Sequence, residues 1–177
     1  PDSADAYNNI GVTLKDQGKL DEAIEAYRKS ISLKPDHAEA YDNMGVAFKD
    51  QGKLDEAIEV HKKSILLKPS RAEVYNNLGN TLKEQGRYDN AQKNYTQSLK
   101  LNPNLSQAYY NLGVLFHTQG KATKHLECFL NAISLDPDNI SYRWNFANLQ
   151  LLKVHSTHEY YKKSLQNFDH EITKLNS

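Results

Sequence analysis

The sequence predicts an all-α solenoid of helix-turn-helix repeats, and three observations carry that prediction. The stretch at residues 6–36, AYNNIGVTLKDQGKLDEAIEAYRKSISLKPD, returns 34 residues later at 40–70 as AYDNMGVAFKDQGKLDEAIEVHKKSILLKPS. Two further steps give VYNNLGNTLKEQGRYDNAQKNYTQSLKLNPN and AYYNLGVLFHTQGKATKHLECFLNAISLDPD, and a fourth reaches YRWNFANLQLLKVHSTHEYYKKSL, where the pattern fades. A fixed period of this size marks a stacked repeat array. Within each unit apolar residues recur at helical spacing in two runs, and glycine and proline punctuate the runs at constant places.

The first run of a unit carries Ala6, Tyr7, Ile10, Gly11 and Leu14, and Gln17-Gly18 interrupts it. Gly18, Gly52, Gly86 and Gly120 share that place, where a helix ends in a left-handed residue that glycine tolerates best. A second helix follows, with Leu20, Ala23, Ile24, Tyr27 and Ile31 on its inner face. It stops at the series Pro35, Pro69, Pro103 and Pro137, because proline cannot continue the hydrogen-bond ladder. Asp36, Ser70, Asn104 and Asp138 come next, with Asp2 in the matching place, and are expected to cap the following helix. Glu39, Glu73 and Gln107 would complete capping boxes three residues on. Gly11, Gly45, Gly79 and Gly113 lie inside the first helix, where glycine costs roughly 1 kcal/mol against alanine, so close packing is expected to require them. Small residues Ala23, Ala57 and Ala91 are expected to help the second helix approach.

The array is expected to form a single domain over 1–177. Its repeats fall at about 4–37, 38–71, 72–105 and 106–139, with a degenerate fifth unit and capping helix over about 140–177. Pro1 and Asp2 match Pro35 and Asp36 at the end of a repeat, so the chain reads as a segment of a longer array.

Lysine plus arginine balances aspartate plus glutamate at 22 each, so no global field favours nucleic acid or an anionic membrane. No apolar run is long enough to span a bilayer. The sole cysteine, Cys128, cannot form an internal disulfide and fits a half-buried apolar role, which points to a cytoplasmic setting.

The series Tyr7, Ile10, Gly11, Leu14, Ala23, Tyr27, Ser30 and Pro35 resembles the tetratricopeptide repeat family at every one of these offsets. The resemblance implies a right-handed superhelix in which the first helix of each pair lines a concave groove, and a scaffold that holds peptides or partner domains there. Departures gather late in the chain. His125 stands where Ala23, Ala57 and Ala91 stand, so packing there must adjust. In the fifth unit Ala147 replaces the helix glycine and Arg143 the tyrosine.

In the resemblance's frame, the residue before the large apolar position faces the groove, and it is Asn9, Asn43, Asn77, Asn111 and Asn145. An asparagine amide offers donors and an acceptor, so such a ladder can grip a peptide backbone without reading its side chains. The row resembles the asparagine ladder in the tetratricopeptide arm of O-linked N-acetylglucosamine transferases. Beside it run Asn8, Asp42, Asn76, Tyr110 and Trp144, whose aromatic members suit binding anchors or a surface covered by further chain. A second row, Val12, Val46, Asn80, Val114 and Asn148, is polar at Asn80. Neither row is basic, which argues against the carboxylate clamp of co-chaperones that resemble this family. Lys15, Lys49 and Lys83, each followed by an acid, suit either a solvated charged face or an edge that orients a charged ligand.

His155 and His158 share a helical face, but two ligands without a third make a weak metal site, and no phosphate loop or catalytic triad is indicated. The expected function is a protein-protein interaction scaffold that binds an extended peptide or partner, without catalysis, cofactor or metal in this segment. The alternatives are a substrate-selecting or dimerising arm of a larger enzyme such as a glycosyltransferase, and a structural array that self-assembles as a homo-oligomer.

Overall fold

The computed structural model describes the backbone of residues 3–153 and the side chains of residues 3–146. Among the described residues there are nine helices and no strand: α1 (Ala4–Asp16), α2 (Leu20–Leu33), α3 (Ala38–Asp50), α4 (Leu54–Leu67), α5 (Ala72–Glu84), α6 (Tyr88–Leu101), α7 (Ser106–Thr118), α8 (Ala122–Leu135) and α9 (Ile140–Lys153). The capping helix expected beyond residue 153, with His155 and His158, and the side chains of Ala147 and Asn148 lie outside the described residues. Two compact units are present, divided between Pro103 and Asn104. The first holds α1 to α6 and the second α7 to α9.

Each pair closes the same way. Gly18 has φ +78°, and the amides of Gly18 and Lys19 donate to the carbonyls of Lys15 and Leu14, both at 2.9 Å. That paired capping satisfies two carbonyls that the end of α1 would otherwise leave bare. The returning helix is then antiparallel, as a serine shows. Ser30, near the end of α2, donates its hydroxyl to the carbonyl of Ala4, at the start of α1, at 2.7 Å. Ser64 to Ala38 and Ser98 to Ala72 repeat that tie at 2.7 and 2.8 Å, whereas the fourth unit has Ala132 in this place.

The helix glycines are explained by aromatic rings. A Cβ on Gly11 would lie 2.5 Å from the Tyr27 ring, on Gly45 2.6 Å from the His61 ring, and on Gly79 2.6 Å from the Tyr95 ring. Tyr27, His61 and Tyr95 are fully buried, so the absent side chain makes room for a ring rather than for a bare helix backbone. Around Gly113 the fit is looser, with Cys128 and Phe129 atoms at 3.2 and 3.3 Å. This is the adjustment expected where buried His125 enters the fourth pair; His125 packs edge-on to both His117 and Phe129. Cys128 is buried here, and burial pushes its thiol up to about 11.

The joints between pairs differ from expectation by one residue. Pro35 and Asp36 are the two central residues of a turn, in which the amide of His37 donates to the carbonyl of Lys34 at 3.0 Å. Proline is well suited to the first central position of such a turn, and the residue before it, Lys34, is extended at φ −140° and ψ 90°. The N-cap place therefore passes to His37, Arg71 and Leu105, none of which makes a side-chain cap. Asp36 and Ser70 do not cap, and the capping boxes with Glu39 and Glu73 do not form. Where the next residue can accept, a cap does appear: Ser3 accepts from the Ala6 amide at 3.2 Å, and Asn139 from the Tyr142 amide at 3.3 Å.

Candidate functional site

Within the first unit α1, α3 and α5 pack in sequence, and the expected groove residues are held on them. Asn9 is exposed, Asn43, Asn77 and Asn145 are half-buried, and Asn111 is buried. Three ladder amides are not free. Asn43 donates from Nδ2 to Asn8 Oδ1 at 3.0 Å, and Asn77 donates from Nδ2 to both oxygens of Asp42 at 3.2 and 3.3 Å. In the second unit Asn145 donates to the Tyr110 hydroxyl at 2.8 Å. These three rungs each reach back 35 residues to the neighbouring row in the preceding repeat.

The neighbouring row consequently serves as the ladder's acceptor. Asn8 and Asp42 are 3% exposed and Asn76 is 5% exposed, so their side chains lie under the face rather than on it. Tyr110 is half-buried in the core of the second unit, stacked on Tyr142 with ring centroids 4.8 Å apart. Burial, with Tyr142 beside it, raises the Tyr110 hydroxyl above the ordinary tyrosine value, although the Asn145 amide pulls the other way. Trp144 is the member of this row that is open, at 66% exposure, and Ile140 one turn earlier is 79% exposed.

Asp42 anchors a cluster that the repeat pattern alone does not announce. Its Oδ1 accepts from His61 Nδ1 at 3.0 Å, and its Oδ2 lies 3.7 Å from Arg71 Nη2. A carboxylate can only accept, so the His61 proton sits on Nδ1; its Nε2 is buried without a partner. Three donors, from α4, from α5 and from the residue that precedes α5, thus compensate one buried charge. The sequence signal was available as a paired departure. Asp42 stands where Asn8 and Asn76 stand, and His61 where Tyr27 and Tyr95 stand, both in the same unit.

Asn80 is the polar member of the second row. It accepts from the buried Tyr95 hydroxyl at 2.8 Å, whereas Val12 occupies this place in the first unit and leaves the Tyr27 hydroxyl buried without a partner. Burial, aided by the nearby Glu84 charge, pushes the Tyr95 hydroxyl well up.

The lysine row resolves into unequal members. Lys15 pairs with Asp16 at 2.9 Å. Lys49 pairs with Asp50 at 2.8 Å and reaches Glu84 on α5 at 3.6 Å. Burial pulls Lys49 down, but the hydrogen bonds and charges of Asp50 and Glu84 outweigh it and leave it raised. Lys83 shows the reverse. Burial lowers it, Glu84 offsets only part of that, and Lys49 adds repulsion.

Gln51 on α3's end donates to Asp21 at 2.8 Å, and Gln85 to Asp55 at 2.6 Å, tying each repeat to the second helix of the one before. Among the described residues no group of three or more His, Cys, Asp or Glu side chains could hold a metal ion. No helix among them is long and apolar enough to cross a membrane.

Residues 13–52, 47–86 and 79–120 match the family described as TPR repeat, and residues 106–139 match the tetratricopeptide repeat. No curated protein sequence matches significantly. Solved structures are similar over most of the chain. PilF of Pseudomonas aeruginosa is 25% identical with a TM-score of 0.82, over 97% of this chain and 75% of that one. MamA is 28% identical with a TM-score of 0.71, over 92% and 90%. MamA from Desulfovibrio magneticus RS-1, at 23% identity and a TM-score of 0.74 over 99% and 96%, shares the fold. The family matches run from residue 13 to residue 139, over helix pairs closed by the same glycine, ring and turn, and the chain belongs to the tetratricopeptide repeat family.

Proposed function

We propose that this chain, an interaction scaffold of tetratricopeptide repeats, holds an extended peptide by its backbone along α1, α3 and α5. The observation that supports this reading is the fixed orientation of the rungs. Asp42 can only accept, so Asn77 must turn its nitrogen back toward α3, which leaves Oδ1 and the second N–H without a partner among the described residues. Asn43 is held on Asn8 in the same register. Amides spaced one repeat apart, each presenting both an acceptor and a donor, match the alternation of N–H and C=O along an extended chain.

The test is selection from a displayed library of short peptides, followed by affinity measurement on Asn9→Ala. Asn9 is exposed and its side chain makes no bond among the described residues, so its removal is expected to leave the fold unaffected. Enrichment of extended peptides whose affinity falls in Asn9→Ala supports the reading. Failure to enrich any peptide, or affinity unchanged by Asn9→Ala, overturns it.

A further inference from the structure

A serine decides which nitrogen of a buried histidine carries the proton. Ser30 gives its one hydroxyl proton to the Ala4 carbonyl at 2.7 Å, so toward His37 Nδ1, 2.8 Å away, its oxygen can only accept. Nδ1 is therefore the donor, and in the neutral imidazole Nε2 holds a lone pair. That lone pair faces Asp5 Oδ1 at 3.4 Å, one acceptor against another. A second proton on the ring turns the contact into an ion pair. The order serine, histidine, aspartate is not a nucleophile's here, because Ser30 is fully buried and its proton goes away from the ring.

His37 is 8% exposed and stands in the turn between the first two pairs, beside a cavity of about 310 Å³. Charged groups line that cavity from several elements: Asp5 from α1, Lys34 and Asp36 from the turn that ends α2, Glu39 from α3, and Lys68 and Arg71 from the next joint. Both signs are present, and Asp5 is the one in contact with the ring. The matching places in the later joints hold Arg71, Leu105 and Asn139, none of which changes charge near neutral pH.

What Asp5 does when it is not held matters for the ladder. Asn9 follows it by four residues on α1, so the two side chains are neighbours on one face, and an amide at that spacing can donate to the carboxylate. Asn43 and Asn77 are turned by acceptors in the preceding repeat, but Asn9 has no such acceptor among the described residues. Held by a charged His37, the Asp5 carboxylate leaves the Asn9 N–H groups to a peptide. Set against a neutral His37, it is repelled from the joint and takes one of them.

We propose that protonation of His37 switches the first rung of the ladder, so that an extended peptide is held more tightly below neutral pH than above it. This rests on the reading of the ladder as a peptide grip and adds its regulation.

The test uses the full chain with nitrogen-15 label between about pH 5 and 8, the range in which histidine changes charge. The Asn9 side-chain amide signals should move together with the His37 ring signals, and in Asp5→Asn they should stay still while the ring still titrates. A blocked octapeptide of alternating serine and valine, which carries no titratable group, is the binding probe. Its affinity should fall about threefold across that range, the size of one modest hydrogen bond. His37→Arg and His37→Leu, which place at the first joint the residue types of the second and third, should remove the dependence, the former at the tighter value and the latter at the weaker. Asn9 signals that ignore pH, or an affinity change that persists in Asp5→Asn or in His37→Leu, overturn this inference alone. Absence of binding at either pH overturns the ladder reading and the regulation that rests on it.

Discussion

Asn77 gives its side-chain amide to both oxygens of the buried Asp42 carboxylate, at 3.2 and 3.3 Å, across the step from α5 to α3. A residue that the repeat pattern marks as a ligand contact is therefore also a tie between repeats. Removing it therefore carries a structural cost. Asn77→Ala should lower unfolding stability by about 1–2 kcal/mol, since it takes a donor from a buried charge. Asn9→Ala, lacking any such partner, should stay within about 0.5 kcal/mol of the parent. Urea denaturation of the two variants, followed by helical circular dichroism, measures the difference.

The Asp42–His61 pair predicts strong coupling. His61→Phe leaves the carboxylate without its closest donor and should cost about 3 kcal/mol, the range seen when one partner of a buried pair is removed. The double variant Asp42→Asn with His61→Tyr restores the residues of the first unit, Asn8 and Tyr27, and keeps an acceptor for Asn77. It should lie within about 1 kcal/mol of the parent. A double-mutant cycle that shows simple additivity would contradict the structure.

Gly79→Ala and Gly113→Ala should part company. At Gly79 the new methyl meets the Tyr95 ring at 2.6 Å, and the expected overpacking of about 1–3 kcal/mol exceeds the roughly 1 kcal/mol gained in helix propensity. At Gly113 the nearest atoms are at 3.2 and 3.3 Å, so the two effects should nearly cancel. Thermal melting of both variants decides the matter.

Tyr27→Phe should leave stability near pH 7 unchanged or raise it by about 1 kcal/mol, because the hydroxyl is buried without a partner. At alkaline pH the difference should widen. Burial, with Asp16 nearby, pushes the Tyr27 hydroxyl up to about 12 from an ordinary 10.0. A raised folded value contributes stability that is complete below the unfolded value and is lost as pH climbs through the folded one. Between pH 10.0 and about 12 the parent should therefore lose more stability than Tyr27→Phe, which denaturation at a series of pH values will show.

The repeat's architecture was legible in the sequence because it is written in backbone chemistry. Gly18 needs its left-handed turn and Pro35 its break, whatever surrounds them. The caps were misplaced by one residue because Asp36 suits both a helix start and the second central position of a turn, and the turn claimed it. The site was less legible for a different reason. Spacing marks which residues share a face, but not which donor a neighbour consumes. Asn43 and Asn80 read alike as polar groove residues, yet one is turned by Asn8 and the other by Tyr95 into opposite presentations.

The ties of the first unit share a property with consequences for how such a chain can change length. The serine staple, the glutamine bridge and the ladder rung link residues 26, 30 and 35 positions apart, so none extends beyond the adjoining pair. Removing one cassette of 34 residues, such as 38–71, would bring Asn77 opposite Asn8 and Gln85 opposite Asp21, each meeting a residue able to accept. The hydrogen bonding is thus indifferent to the number of copies, and an array wired this way can be shortened or extended by whole cassettes without new chemistry at the seams.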